Sequence, residues 1–231
     1  MKKKILALCL CVAMLAIAIV GGTLAYFTDT DTKTNVFTSG NVDIQLNEVF
    51  PETELIPGEK NALQKEVTVK NIGSEAAYMW IELWIPAELD TPGNASLNDL
   101  HFNPFDTYVD SEGNEYVMRG SEAKALGYTL KYETVEVALG TKEIDGVSYN
   151  GYREYIKNDL PKATDESTAA LLARVFMDKD VAQCTEGHGN NCLVLKDGTH
   201  YTGSWEIIVN AFGIQAAGFD TIEEAIAAYN E

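Results

Sequence analysis

Short runs of alternating apolar and polar residues, cut by glycine, proline and Asn/Asp turns, limit this fold most. A period of two sends successive side chains to opposite faces of a strand, so one face is buried and the other wetted. Val42, Ile44 and Leu46 alternate with Asp43, Gln45 and Asn47. Pro57-Gly58 is a turn signal. Val67 and Val69 then alternate with Glu66, Thr68 and Lys70, and Asn71-Ile72-Gly73-Ser74 forms the next turn. A third strand is predicted over 76–85, with Met79, Ile81, Leu83 and Ile85 on one side. Its other side carries Tyr78, Trp80, Glu82 and Trp84. An aromatic outer stripe needs cover. The expected cover is a loop of the same chain, and the functional alternative is a partner's segment.

Residues 86–120 read as a loop excursion, rich in Pro, Gly, Asn and Asp with little periodicity. Beyond it, Tyr128, Leu130 and Tyr132 alternate in one phase, and Val135, Val137 and Leu139 in the other. A one-residue slip of this kind predicts a β-bulge or a bend between sheets. Asp145-Gly146 is a two-residue hairpin signal leading into a strand over 147–156. The stretch 165–181 reads locally as a helix capped by Asp165, with Ala169, Leu172, Val175 and Phe176 on one side. Val175-Phe176 suits a strand equally well. Lys196-Asp197-Gly198-Thr199 is a further turn. The run 205–216 is apolar on both faces and is expected to be a central strand. Thr221-Ile222-Glu223-Glu224 is a capping box that opens a final helix. Many short strands with turn punctuation predict an all-β sandwich or barrel.

The amino terminus stands apart from this pattern. Lys2, Lys3 and Lys4 precede an uninterrupted apolar run over 5–20. Gly21-Gly22 breaks that run, and Thr23-Leu24-Ala25 supplies small residues at a cleavage site. This is the pattern of a cleavable signal peptide, residues 1–25, cut between Ala25 and Tyr26. The apolar run is shorter than the ~20 residues that span a bilayer, so no stable membrane anchor is expected after cleavage. One domain is expected over 26–231, with 26–38 as its mobile amino-terminal segment. The chain carries 17 Lys+Arg against 35 Asp+Glu, a net charge of −18. Cleavage removes lysines and no acids, so the mature chain is more acidic still. Such a surface repels nucleic acid, whose binding needs clustered Lys and Arg.

Cleavage also removes Cys9 and Cys11 and leaves Cys184 and Cys192. In an exported protein two nearby cysteines are expected to form a disulfide. The alternative is a metal site built from Cys184, His188, Cys192 and His200, although structural zinc prefers closer ligand spacing. The chain has no His-Glu-x-x-His, no Gly-x-Ser-x-Gly and no phosphate-binding glycine loop. Acid pairs such as Asp29/Asp31, Asp110/Glu112 and Asp178/Asp180 lack a calcium-loop pattern and read as solvated turns. No catalytic residue and no cofactor is assigned; zinc and calcium are the outside alternatives.

Gly22-Thr-Leu-Ala-Tyr-Phe-Thr-Asp-Thr-Asp31, followed by Asn35-Val-Phe-Thr-Ser-Gly-Asn-Val-Asp-Ile44, resembles the TasA/camelysin family of exported proteins of Gram-positive bacteria. Pro57-Gly58-Glu59 with Val67-Thr-Val-Lys-Asn-Ile-Gly-Ser74, and Ile214-Gln-Ala-Ala-Gly-Phe219 near the end, resemble later landmarks of that family. The resemblance implies a jelly-roll-like sandwich, export through a dedicated signal peptidase, and a place in the extracellular matrix or at the cell surface. It also implies self-assembly, or assembly with related matrix proteins, by donating an amino-terminal strand to the next subunit. The matching segment contains Tyr26, Phe27, Val36 and Phe37. The camelysin name carries a metallopeptidase label for which no zinc-protease motif is present. Two rival readings accompany the matrix one: a secreted metallopeptidase, and a monomeric adhesin or ligand-binding module using the 86–120 excursion.

Overall fold

The computed structural model describes residues 41–49, 57–58, 62–103, 106–117, 120–184, 192–203 and 206–230. The alternating segment after Val42 forms β1, Ile44–Val49, which pairs antiparallel with β2, Leu63–Asn71. The free side of β2 pairs with β10, Leu172–Met177, and β10 pairs with β4, Leu100–Asn103. A second antiparallel sheet runs in the order β14 (Ile208–Gln215), β3 (Ala77–Pro86), β9 (Val147–Ile156) and β8 (Thr134–Ile144). One core joins the two sheets. Val67 and Val69 of β2, Leu100 of β4 and Val175 and Met177 of β10 pack in it with Met79, Ile81, Leu83 and Ile85 of β3 and Tyr152 and Ile156 of β9. The sandwich expected from alternation is therefore present.

Its topology is close to a jelly roll. The frame strands in chain order are β1, β2, β3, β4, β8, β9, β10 and β14. A jelly roll of these strands has the sheets β1-β14-β3-β9 and β2-β10-β4-β8. The inner triplets β14-β3-β9 and β2-β10-β4 are both found. The edge strands are exchanged, because β1 and β8 pair with their neighbours in sequence, β2 and β9. For β8 and β9 the cause is the Asp145-Gly146 turn, where both residues have positive φ, 50° and 82°. β1 still leans on β14: a Cβ added at Gly213 would meet Ile44 Cγ2 at 2.8 Å.

Two small sheets complete the strands. One is β6 (Glu115–Val117), β5 (Thr107–Val109) and β7 (Thr129–Tyr132), with α1, Gly120–Leu126, between β6 and β7. The other is β11 (Ala182–Gln183), β12 (Leu193–Val194) and β13 (His200–Tyr201). The phase slip near residue 133 is a bend between sheets, since β7 lies in a small sheet and β8 in the frame. A register shift between Ala138 and Gly140 adds a bulge within β8. The Tyr78 and Trp80 part of the aromatic outer face of β3 is covered by the final helix α2, Ile222–Tyr229, not by a loop, while Lys142 of β8 lies over the Trp84 ring. Ile222, Ala225 and Ile226 pack on Tyr78 and Trp80, and the Tyr229 ring meets Trp80 edge-on at 5.2 Å.

Three further expectations need correction. The stretch 165–181 is not a helix. Asp165 has φ 69°, and the N–H groups of Thr168 and Leu171 donate to the carbonyls of Val69 and Val67. The segment thus runs along β2 before becoming β10, and this pairing overrides the local helical spacing. The 205–216 strand is not central. β14 lies at a sheet edge, and its two apolar faces have separate cover: Val209 and Ala211 join the main core, while Phe212 and Ile214 lie under α2. The 86–120 stretch is more than a loop, because β4 supplies a frame strand whose Leu100 and Phe102 are buried.

Candidate functional site

The small β11-β12-β13 sheet brings the chemistry-bearing residues of the carboxy-terminal part together. Gln183 lies opposite Leu193, so the next residue pair is Cys184 and Cys192. The Cys184 N–H donates to the Cys192 carbonyl at 3.0 Å. Their sulfurs form a disulfide, with Cα atoms 5.3 Å apart. The turn at 196–199, with Gly198 at φ 86°, folds β13 back so that His200 lies opposite Val194. Strand alternation then places Cys184, Cys192, Val194 and His200 on one face. Leu193 and Tyr201 take the other face and enter the main core. The two sulfurs and an imidazole nitrogen of His200 all lie within 4.8 Å of one another. His188 lies outside the described residues. A groove of about 520 Å³ adjoins His200, lined also by Glu88, Asp197 and Tyr201. Burial, with Glu88 adding negative charge nearby, pushes the Tyr201 hydroxyl up to about 12.

A polar joint holds this small sheet to the frame. Asp178, just after β10, meets His101 Nε2 and Lys196 Nζ, each at 3.0 Å. The Asp180 N–H donates to its other oxygen at 3.0 Å, and the Lys196 N–H donates to Asp99 Oδ1 at 2.8 Å. Burial alone raises the Asp178 carboxyl, but those donors outweigh it and hold the group well below the usual carboxylate range. The His101 ring stacks on Phe176 at 4.7 Å. These partners describe a structural joint rather than a nucleophile with its base.

A second polar group sits between the sheets. Asp90 accepts hydrogen bonds from Asn98 Nδ2 at 2.7 Å, Asn150 Nδ2 at 3.1 Å and the Tyr152 hydroxyl. Two residues along β9, Glu154 is fully buried on the same inward face, opposite Glu136 of β8. Neither Glu154 oxygen makes a hydrogen bond of ordinary geometry. Burial, and then the adjacent Glu136 charge, pushes the Glu154 carboxyl well above the usual range. Sequence reasoning missed it. The available signal was parity: Tyr152, Glu154 and Ile156 share the face that the strand must bury.

The third feature is an edge. β14 reads Ile-Val-Asn-Ala-Phe-Gly-Ile-Gln and has no charged residue and no proline. One side pairs with β3 from Ile208 opposite Trp84 to Gln215 opposite Ala77. Among the described strands, none pairs with its other side. The other frame edge of that sheet, β8, is guarded by its bulge and by Glu136, Lys142 and Glu143. The cleavage pair Ala25 and Tyr26 and the assembly candidates Tyr26, Phe27, Val36 and Phe37 all lie outside the described residues.

Fold and site together define a class: an all-β sandwich with a disulfide-closed lobe and an uncharged sheet edge. A family model described as camelysin metallo-endopeptidase matches residues 1–79, in keeping with the TasA/camelysin resemblance. The match runs from the amino terminus through β1 and β2 into β3. No curated protein and no solved structure matches the chain.

A metallo-endopeptidase needs a metal centre. Among the described residues, Cys184, Cys192 and His200 are the group whose ligand atoms come close enough together to hold an ion. Two of those three atoms are bonded to each other. A disulfide sulfur is not a thiolate, so in this oxidised form the residues do not fit zinc.

Proposed function

We propose that this protein is a secreted structural component of the extracellular matrix or cell surface, and that it assembles into fibres by strand addition. The segment 26–37 of one subunit is the donor, and the outer side of β14 in the next is the acceptor. The observation that carries the reading is the β14 edge: eight residues without charge or proline, with no partner among the described strands. Such an edge offers a row of N–H and C=O groups to an added strand. A head-to-tail contact that does not close on itself propagates as a filament. The signal-peptide pattern at 1–25 supports export.

Electron microscopy tests this reading on two purified forms, one beginning at Tyr26 and one at Ser39. Filaments from the longer form alone are the expected result. Filaments from neither, at concentrations where the longer form is folded, defeat the proposal. The match to the camelysin metallo-endopeptidase family favours a second reading, a metallo-endopeptidase. Chelator-sensitive cleavage of casein by the purified protein would support that reading. Its absence in zinc-supplemented, folded protein would remove it.

A further inference from the structure

We propose that Cys184, Cys192 and His200 form a soft-metal site that the disulfide closes and reduction opens. Pairing of β11 with β12 and of β12 with β13 fixes all three side chains on one face of the small sheet, whatever the redox state of the sulfurs. That face is anchored from behind by Leu193 and Tyr201 in the main core. The ligand atoms therefore remain within bonding reach of a common point, their present mutual separations being no more than 4.8 Å. Zinc bound to two thiolates and one imidazole needs ligand atoms at about 2.0–2.3 Å from the ion. Small side-chain rotations from the present positions supply that once the S–S bond is gone.

A dithiol or phosphine reductant delivers two electrons to the S–S bond, and two protons give two thiols; they come from the dithiol itself or, with the phosphine, from the water that also supplies the oxygen of its oxide. The dithiol leaves as its own disulfide, and the phosphine leaves as its oxide. Cys184 is the entry point, since it is partly exposed and Cys192 is buried. A divalent ion such as Zn²⁺ then displaces the two thiol protons to the buffer, giving a site of two sulfurs and one nitrogen. Three protein ligands leave a fourth position open, as in sites where water or a substrate completes the tetrahedron. His200 is exposed and Cys184 partly so, which leaves that position open to solvent. The cystine and the metal are thus mutually exclusive occupants of one place.

Co²⁺ is the probe, because cobalt–thiolate bonds absorb light and cobalt–carboxylate sites do not absorb in the same band. The exported chain is titrated with Co²⁺ before and after treatment with a phosphine, and Zn²⁺ is used to displace the colour. The expected result is one equivalent of thiolate-bound cobalt in reduced protein and none in oxidised protein. His200→Ala is expected to weaken binding by at least about tenfold, the lower end of what even a second-shell change costs a metal site. Cys184→Ser is expected to abolish the charge-transfer band. Near-ultraviolet circular dichroism follows the fold throughout. If reduction loosens the lobe, recovery of the signal on adding Co²⁺ supports the site, and failure to recover overturns it. A folded, reduced protein that gives no thiolate band shows a staple only and overturns the proposal. Binding unchanged in His200→Ala overturns the assignment of the third ligand.

Discussion

Glu154 sets the sharpest test at the scale of single residues. It is fully buried and makes no hydrogen bond of ordinary geometry, and its carboxyl lies well above the usual range because of burial and then Glu136. The native state therefore holds a proton that the unfolded chain releases near pH 4.3, about the ordinary glutamate value. Below that pH both states are protonated and the group is neutral in its effect. As pH rises from there to the raised native value, the unfolded state gains relative to the native one, and stability falls. Asp178 acts in the opposite sense. Its carboxyl is held low by the Asp180, Lys196 and His101 donors, so its contribution is lost only as pH falls below the ordinary aspartate range. The two effects separate on the pH axis. Glu154→Leu removes the first, so the variant should exceed the parent in stability at pH 7 by about 1–4 kcal/mol. The difference should shrink towards pH 4. Urea unfolding at several pH values measures it, and a constant difference across that range would rule out a titrating Glu154.

Among elements, α2 converts the outer face of β3 into a second core. Thr221 begins the helix by accepting a hydrogen bond from the Glu224 N–H at 3.2 Å, while the Glu224 carboxylate reaches back to the Asp220 N–H at 2.9 Å. Thr221→Ala removes the cap and should cost α2 about 1 kcal/mol. The loss belongs to the helix and the face it covers, so amide exchange in 222–229 should quicken roughly fivefold for that energy. Exchange in β9 should stay unchanged. Equal acceleration in both would mean that α2 and the frame open as one unit. This cap was legible in the sequence, as were β1, β2, β3, the Asp145-Gly146 hairpin and the turn at 196–199, because each depends on local chemistry. The segment 165–171 was misread because its extended form is imposed by β2, almost a hundred residues earlier. β14 was misplaced for a related reason: apolar residues on both faces say that both are covered, not that both sides of the strand are paired. The cystine was legible from the spacing of Cys184 and Cys192. The approach of His200 was not, since it depends on the register of β12 with β13.

For the whole molecule, the question is how a very acidic sandwich could associate with itself. Its net charge of −18 opposes any contact that brings two bodies together face to face. Addition of a strand to β14 avoids much of that repulsion, because the edge has no charge and the attraction comes from backbone groups. The donor segment 26–37 carries Asp29, Asp31 and Lys33, so salt should favour assembly by screening what repulsion remains. A single added charge on the edge then becomes a selective block. Asn210 is half-buried on β14 and lies opposite Glu82 of β3, which already pairs with Arg153 at 2.7 Å, so a lysine there shares that acid within its own subunit. Asn210→Lys should change monomer stability by no more than about 1 kcal/mol, the range of a cross-strand pair. It should nevertheless stop filament growth from the Tyr26 form, because edge lysines disfavour strand addition. Mixing variant and parent subunits gives the decisive arrangement. If β14 is the acceptor, the variant can still donate its amino-terminal segment to a parental edge but cannot receive one. It should therefore cap filaments at one end and shorten them in proportion to its share of the mixture. Filaments of unchanged length at every mixing ratio would move the acceptor away from β14.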